Sequence, residues 1–489
     1  MRRCIAVFLV FMMMTLPGTG ALALLSGKSA PTAAPVSGGE PSASLDAAFE
    51  SGRLTLVRAE LPAVTAEAFD LPDVLWSTYG MEKPADPKAE LAAALEETSL
   101  TWISLSPNGT SGILTDGGLG IAYYDGAFRL LYPSSARGVE DTYGNLAKYA
   151  QAFTHMLGNE RVVYSPDGRY AVVLSTRMSL INAQFFIDPI VIDLSTGEMI
   201  LTSTYGNKPM DDSMGCATSA TFSADGRYMY YMLYGNAFQS DAAPYRTCLC
   251  RYDLQTGETM FCHSWDDCTY YPDLSETPSG ALIILRDTYQ NSLQTGVSRV
   301  AFENGAWTNA EYTFDLPSMY WNSNKMLYSA ESGNAVIPGR VLSYGGVYDA
   351  FQCVKPDEDF ASLNRYLTIS KESGIVEAHT GEEIKSMLDS AVVEETFVPD
   401  ALPCQMITYM DMSSDGRYLL ALTQTMGTRH IYMIRLSDLA VREVAGVDPA
   451  AILMGDLATA KGYMQVLEWD GDTLFLCMED GVQAFTFAE

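Results

Sequence analysis

The sequence predicts an all-β fold: a β-propeller of seven or eight four-stranded blades, preceded by a short N-terminal segment that contains a helix. Three observations predict it. A Ser-x-Asp-Gly-Arg-Tyr turn followed by a strand recurs at Ser165–Tyr170, Ser223–Tyr228 and Ser413–Tyr418. A strand, Thr-Gly-Glu, strand unit follows at Thr196–Glu198, Thr256–Glu258 and Thr380–Glu382. Motif starts at Ser106, Ser165 and Ser223 lie 59 and 58 residues apart, which is the chain needed for two antiparallel hairpins, that is, one four-stranded sheet.

Composition agrees. Of 489 residues, 48% are hydrophobic and 18% charged, ample for a large core and unlike a disordered chain. Sixty acidic residues against 30 basic ones give a net charge of −30, and nucleic acid is excluded as a partner because its phosphates need clustered Lys and Arg. With 4 His, a His-rich metal site is excluded too.

Taken in chain order, residues 1–23 form an export signal: Arg2 and Arg3, an apolar run from Cys4 to Leu16, and an Ala21-Leu22-Ala23 cleavage site. Pro17-Gly18 ends the run short of the ~20 apolar residues that a spanning helix needs. The mature chain is therefore expected near Leu24, secreted or in the cell envelope, without a membrane span. Residues 24–46, rich in Ser, Ala, Pro and Gly, read as a flexible leader. Within it Gly27-Lys28-Ser29 is no P-loop, since Leu22 stands where the first glycine is required; Gly118-Leu119-Gly120 is no dinucleotide fingerprint, since Tyr123 replaces its third glycine. Across 47–100, Leu54-Thr55-Leu56-Val57 alternates like a strand, expected to close the ring against the C-terminal blade or to lie as a surface strand. Asp86-Pro87 starts a helix through Glu97, expected over one mouth of the ring.

From 101 to 489 the propeller follows. In its turns Ser and Asp cap the backbone, and glycine takes the left-handed position, so Asp167, Gly168, Asp225, Gly226, Asp415 and Gly416 are structural. Weaker copies at Ser106-Pro107-Asn108-Gly109, Thr277-Pro278-Ser279-Gly280, Ser323-Asn324-Lys325, Leu363-Asn364-Arg365-Tyr366 and Trp469-Asp470-Gly471 bring the total to eight phases. These turns and hairpins resemble the TolB-type, WD40-like propeller repeat of exported bacterial proteins and of some serine-peptidase propellers. The resemblance is carried by three blades and implies a fold rather than a reaction.

Eight cysteines remain after signal removal. Cys250 and Cys262 flank Thr256 by six residues each and are expected to face each other across a hairpin as a disulfide, with buried free thiols or zinc as the alternatives. Catalytic patterns are sparse. Neither a G-x-S-x-G elbow nor H-E-x-x-H occurs; His155, His263, His379 and His430 are scattered. The acidic clusters Asp211-Asp212, Asp266-Asp267 and Asp357-Glu358-Asp359 lack calcium-loop spacing and read as solvated loops. No cofactor or metal is expected. The reading is an exported, non-catalytic propeller that binds a basic or neutral protein or glycan, the alternative being a hydrolase or lyase with channel carboxylates, calcium-assisted.

Overall fold

The computed structural model describes residues 42–488 except 72–82, 98–99, 107–108, 116–119, 134–160, 175–177, 180–183, 186–188, 202–214, 236–245, 266–269, 289–293, 314–318, 321–325, 330, 334, 344–345, 355–364, 370–375, 380–405, 414, 426–427, 439, 453–466, 471–472 and 479–480. The expected signal (residues 1–23), the third Thr-Gly-Glu, His155 and all three acidic clusters lie outside the described residues. The fold is an all-β propeller. Its first four blades run inside to outside in sequence order. Blade 1 consists of Thr101–Leu105, Ser111–Thr115, Gly120–Tyr124 and Ala127–Leu130. Blade 2 consists of Arg161–Tyr164, Tyr170–Leu174, Ile190–Asp193 and Glu198–Leu201. Blade 3 is Gly215–Phe222, Tyr228–Gly235, Arg246–Asp253 and Thr259–Trp265, and blade 4 is Tyr270–Glu276, Leu282–Thr288, Gln294–Glu303 and Ala306–Thr313.

Blade 5 corrects the phase count. Leu327–Tyr328, Ala335–Ser343, Gly346–Val354, Arg365–Ile369 and Val376–His379 belong to one sheet, so the phases expected near Ser323 and Asn364 are parts of a single blade. Blade 6 comprises Met406–Met412, Tyr418–Thr425, Thr428–Arg435 and Val441–Ala445. Blade 7 comprises Leu467–Asp470, Thr473–Met478 and Gly481–Ala488, completed by Leu54–Ala59 from the other end of the chain. The described residues thus form seven blade sheets.

Apolar contacts stitch each blade to the next. Ile113 and Ala122 of blade 1 pack with Val162 and Val173 of blade 2; Val172 and Val191 pack with Tyr231 and Leu233 of blade 3. Between blades 4 and 5 a fully buried carboxylate takes over, Asp273 accepting the Met326 N–H at 2.6 Å. Asp411 repeats the device between blades 6 and 7, accepting the Trp469 N–H at 2.8 Å. In both places a buried carboxylate of one blade satisfies a backbone donor of the next.

Of the two places expected for the N-terminal strand, ring closure and the surface, it takes the first. Thr55 to Ala59 pair antiparallel with Ala488 to Ala484, while Leu54 and Thr55 pair in parallel with Val444 and Ala445 of blade 6. One strand therefore joins blades 6 and 7 into an eight-stranded sheet and covers the outer edges of both. The helix Pro87–Glu97 forms at the expected residues, with Asp86 Oδ1 accepting the Ala89 N–H at 3.0 Å. Its Leu91 joins the core of blades 1, 6 and 7. No described helix is long and apolar enough to cross a membrane.

The leader needs a correction. A helix, Ser42–Ser51, begins inside the stretch expected to be flexible, because Leu45, Ala48 and Phe49 fall on one face and are buried. In blades 2 and 3 the arginine of the turn pairs with an aspartate across the sheet: Arg169 with Asp193 at 2.9 Å, Arg227 with Asp253 at 2.8 Å. The equivalent position in blade 6, opposite Tyr418 in register, is Arg435. Asp46 of the helix supplies the missing carboxylate, bonding Arg417 at 2.8 Å and accepting from the Tyr418 hydroxyl at 2.5 Å. Glu50 pairs with Arg435, and the Phe49 ring lies under the guanidiniums of Arg435 at 4.8 Å and Arg442 at 5.2 Å.

This dock titrates. Burial raises the Asp46 pKa, but hydrogen bonds from Tyr418 and Arg417 outweigh it and hold the carboxyl below its ordinary value; the Tyr418 hydroxyl is pushed up to about 12 by burial and by Asp46. A carboxylate with a folded pKa below its unfolded one stabilises fully above the unfolded pKa of ~3.9 and loses that contribution as pH falls through the folded value. Protease access to 42–51 should therefore be flat from pH 6 to 8 and rise as pH drops below about 4, a rise abolished in Asp46→Asn because that variant has lost the pairing at every pH.

Candidate functional site

The turns that mark the repeat are built alike. In blades 2, 3 and 6 the Ser165, Ser223 and Ser413 hydroxyls donate at 2.6 Å to Asp167, Asp225 and Asp415. The same carboxylates accept the N–H groups of Arg169, Arg227 and Arg417 at 3.0–3.1 Å. Gly168, Gly226 and Gly416 sit at φ +69°, +68° and +67°. Hydrogen bonds from Ser223 and Arg227 hold the Asp225 carboxyl below its ordinary range. In each turn the serine hydroxyl and one carboxylate oxygen of the aspartate are thus engaged within the turn itself. Replacing Asp167 or Asp225 with Ala should cost about 0.5–2 kcal/mol in denaturant unfolding and leave any binding activity unchanged.

The cysteines depart from expectation. Cys248, Cys250, Cys262 and Cys477 are all buried. A β-bulge after Leu249 shifts the hairpin so that Cys250 pairs with Phe261, and the two thiols expected to meet point to opposite faces: Cys250 into the core shared with blade 2, Cys262 into that shared with blade 4. Burial pushes the Cys262 thiol up to about 12. Among the described residues no group of three or more His, Cys, Asp or Glu could hold a metal ion.

A different feature gathers exposed binding chemistry, the outer groove between blades 3 and 4. Thr221, Tyr230, Arg251 and Met260 are cross-strand neighbours and so share the face of blade 3 turned toward blade 4. The Arg251 and Arg227 guanidiniums lie over the Tyr228 ring at 4.3 and 4.8 Å, and Arg251 Nη2 reaches Met260 Sδ at 3.9 Å. From blade 4, Trp307 meets Tyr230 edge-on at 6.5 Å and Phe302 at 5.3 Å. Phe302 is presented by a tight hairpin in which Asn304 (φ +52°) and Gly305 (φ +83°) take left-handed conformations.

The groove is apolar, aromatic and partly open, and its two guanidiniums are already engaged, Arg227 with Asp253 at 2.8 Å and Arg251 over the Tyr228 ring. Met260 is 43% exposed and Phe302 60%, two of the four large hydrophobic side chains that stand in solvent among the described residues. Deeper in, Tyr230 is pushed up to about 12 by burial and by Glu276, and so stays a neutral hydroxyl. His263 packs edge-on against Trp265 at 4.5 Å, with its pKa lowered by burial against the opposing pull of Glu311. Such a surface can stack against a planar or C–H face and hold it against a guanidinium. His430, by contrast, bonds exposed Glu443 at 2.8 Å on blade 6. Sequence reading missed this groove, although Asn304-Gly305 between apolar strands was a readable hairpin signal for the arm that presents Phe302.

No protein-family model matches the chain, and no curated protein does either. Among solved structures it is similar to hydrazine synthase of Kuenenia stuttgartiensis (12% identity, TM-score 0.40, over 78% of this chain and 94% of that one). It is similar to oligogalacturonate lyase of Vibrio parahaemolyticus (10%, 0.42, 80% and 91%) and to the putative TolB of Agrobacterium tumefaciens (14%, 0.31, 57% and 80%). At that level of similarity they say nothing about what this chain binds or does.

Proposed function

We propose that this chain is an exported, non-catalytic propeller that binds a protein or glycan through the groove between blades 3 and 4. The observation that carries the proposal is the exposed Met260 and Phe302 beside Trp307, Tyr228 and Arg251, because buried-edge aromatics with a stacked arginine are the residue types that make binding hot spots. Export is supported by the order of Arg2-Arg3, apolar run and Ala21-Leu22-Ala23 at the N-terminus. The mature protein then starts near Leu24, and intact mass spectrometry of exported material checks it; a soluble product retaining Met1 would refute it. The net charge of −30 favours a basic or neutral ligand, whose association rate should fall as salt is added.

The binding test compares the parent with a Met260→Ser, Phe302→Ser double variant on arrays of peptides and of glycans. Ligands captured by the parent should bind at least ~10-fold more weakly to the variant, a loss in the range of a removed hot spot, at an unchanged melting temperature. Equal capture by both proteins would remove the groove from the function. Turnover of an arrayed glycan, surviving in the double variant, would favour an enzyme acting elsewhere on the ring.

A further inference from the structure

Blades differ in how their outer edges are treated. Blade 1 is capped by Phe69–Asp70, which runs parallel to its outer strand, and blade 2 by Tyr132–Pro133. Blades 6 and 7 share the closing strand Leu54–Ala59. Linker and terminal segments thus occupy four edges in turn, the usual remedy for unpaired backbone donors and acceptors. Blades 3, 4 and 5 have no such cap among the described residues, and in blade 4 Ala306–Thr313 ends the sheet.

That strand also lacks the other protections. It has eight residues, Ala-Trp-Thr-Asn-Ala-Glu-Tyr-Thr, with no proline and no lysine, and it pairs with Gln294–Glu303 in unbroken register from Glu303↔Ala306 to Gly296↔Thr313 without a bulge. Ala306, Thr308, Ala310 and Glu311 are exposed. Its one described charge, Glu311, is turned back onto the sheet by Arg286 at 2.6 Å and Asn309 at 3.0 Å. A long edge in unbroken register, its one charge paired with Arg286, lies directly beside Trp307 and Phe302.

We propose that this edge receives an extended, basic segment of a partner protein, which adds as a fifth strand to blade 4 while alternate apolar side chains enter the groove. The proposal rests on the binding reading above and specifies its ligand. Main-chain hydrogen bonds from Ala306–Thr313 supply affinity; Trp307 and Phe302 select an apolar side chain at every second position. The net charge of −30 selects basic residues at the positions between and opposes edge-to-edge pairing with a second copy, which carries the same charge.

The probe is a fluorescein-labelled decapeptide of alternating Val and Lys, with a counterpart N-methylated at two adjacent central residues. Adjacent residues point their N–H groups to opposite edges, so the counterpart keeps composition and charge but cannot form a strand on either side. Anisotropy titration of the full chain should show the parent peptide binding at least ~10-fold more tightly than its methylated form and weakening with salt. Amide hydrogen exchange should show 306–313 slowing on binding. Of Thr308→Pro and Asn309→Pro, the variant that melts with the parent has its N–H outward, and it should lose the peptide while retaining its fold.

Equal binding of both peptides would overturn strand addition while leaving side-chain docking in the groove, and with it the proposed function, intact. Absence of binding, protection outside 306–313, or amides of 306–313 already protected in the free chain would each overturn it as well. The last of these would mean that the chain caps its own edge.

Discussion

Gly446→Ala is expected to unfasten the ring. Gly446 sits at φ +93° just after the outer strand of blade 6, where a side chain at that φ is strained. An alanine Cβ there would fall within 3.0 Å of the carbonyl oxygen, carbonyl carbon and amide nitrogen of Leu56. These are backbone atoms of the closing strand, so no rotamer change relieves the clash and Leu54–Ala59 must move. Left-handed strain of roughly 1–2 kcal/mol and overpacking of roughly 1–3 kcal/mol add to an expected loss of about 2–5 kcal/mol. Amide exchange at 54–59 and at 481–488 should accelerate together, since the two segments pair from Thr55↔Ala488 to Ala59↔Ala484. A variant that melts with the parent and keeps both segments protected would show that closure tolerates the shift.

Phe49→Ala is expected to release the N-terminal helix at a cost of about 3–5 kcal/mol, the range for removing a buried aromatic ring. The ring is fully buried, packs on Tyr418 at a centroid separation of 5.2 Å and lies under two guanidiniums. Its loss should expose 42–51 to limited proteolysis while the closing strand stays paired, whereas Phe49→Leu should retain most of the dock. Cleavage within 42–51 at the parental rate would place the strength of the dock in its ion pairs instead.

What could be read in advance was whatever chemistry is local. The Ser-x-Asp-Gly-Arg-Tyr turns close on their own residues through Ser–Asp and Asp–backbone bonds, so six consecutive letters declare the structure. The helix at Pro87–Glu97 was equally visible because Asp86 and Pro87 define its start. The helix at Ser42–Ser51 was hidden by a Ser- and Ala-rich neighbourhood, although Leu45, Ala48 and Phe49 keep helical spacing and Arg435, standing where Asp193 and Asp253 stand in blades 2 and 3, marks a carboxylate to be supplied from elsewhere. Cysteine pairing was misjudged because a bulge after Leu249 reverses which face a residue occupies, and residue spacing carries no trace of it. The groove between blades 3 and 4 was illegible for a deeper reason: Tyr230 and Trp307 meet only when two separately folded sheets stack.

The closing strand has a consequence for how the molecule is made. Its first pairing, Thr55 with Ala488, joins positions more than 400 residues apart, so a ribosome must pass residue 488 before blade 7 can gain its outer strand. Loop-closure entropy grows only logarithmically, about 0.6 kcal/mol per doubling, and the finished ring is scarcely penalised for so distant a contact. The delay is kinetic. During synthesis the early blades can assemble in order while Leu56–Ala59 lacks its antiparallel partner, with the apolar Leu56 uncovered. Nascent chains arrested shortly before Gly481 should be bound by chaperones and cleaved within 56–59, and completing the eight-residue strand Gly481–Ala488 should end both at once.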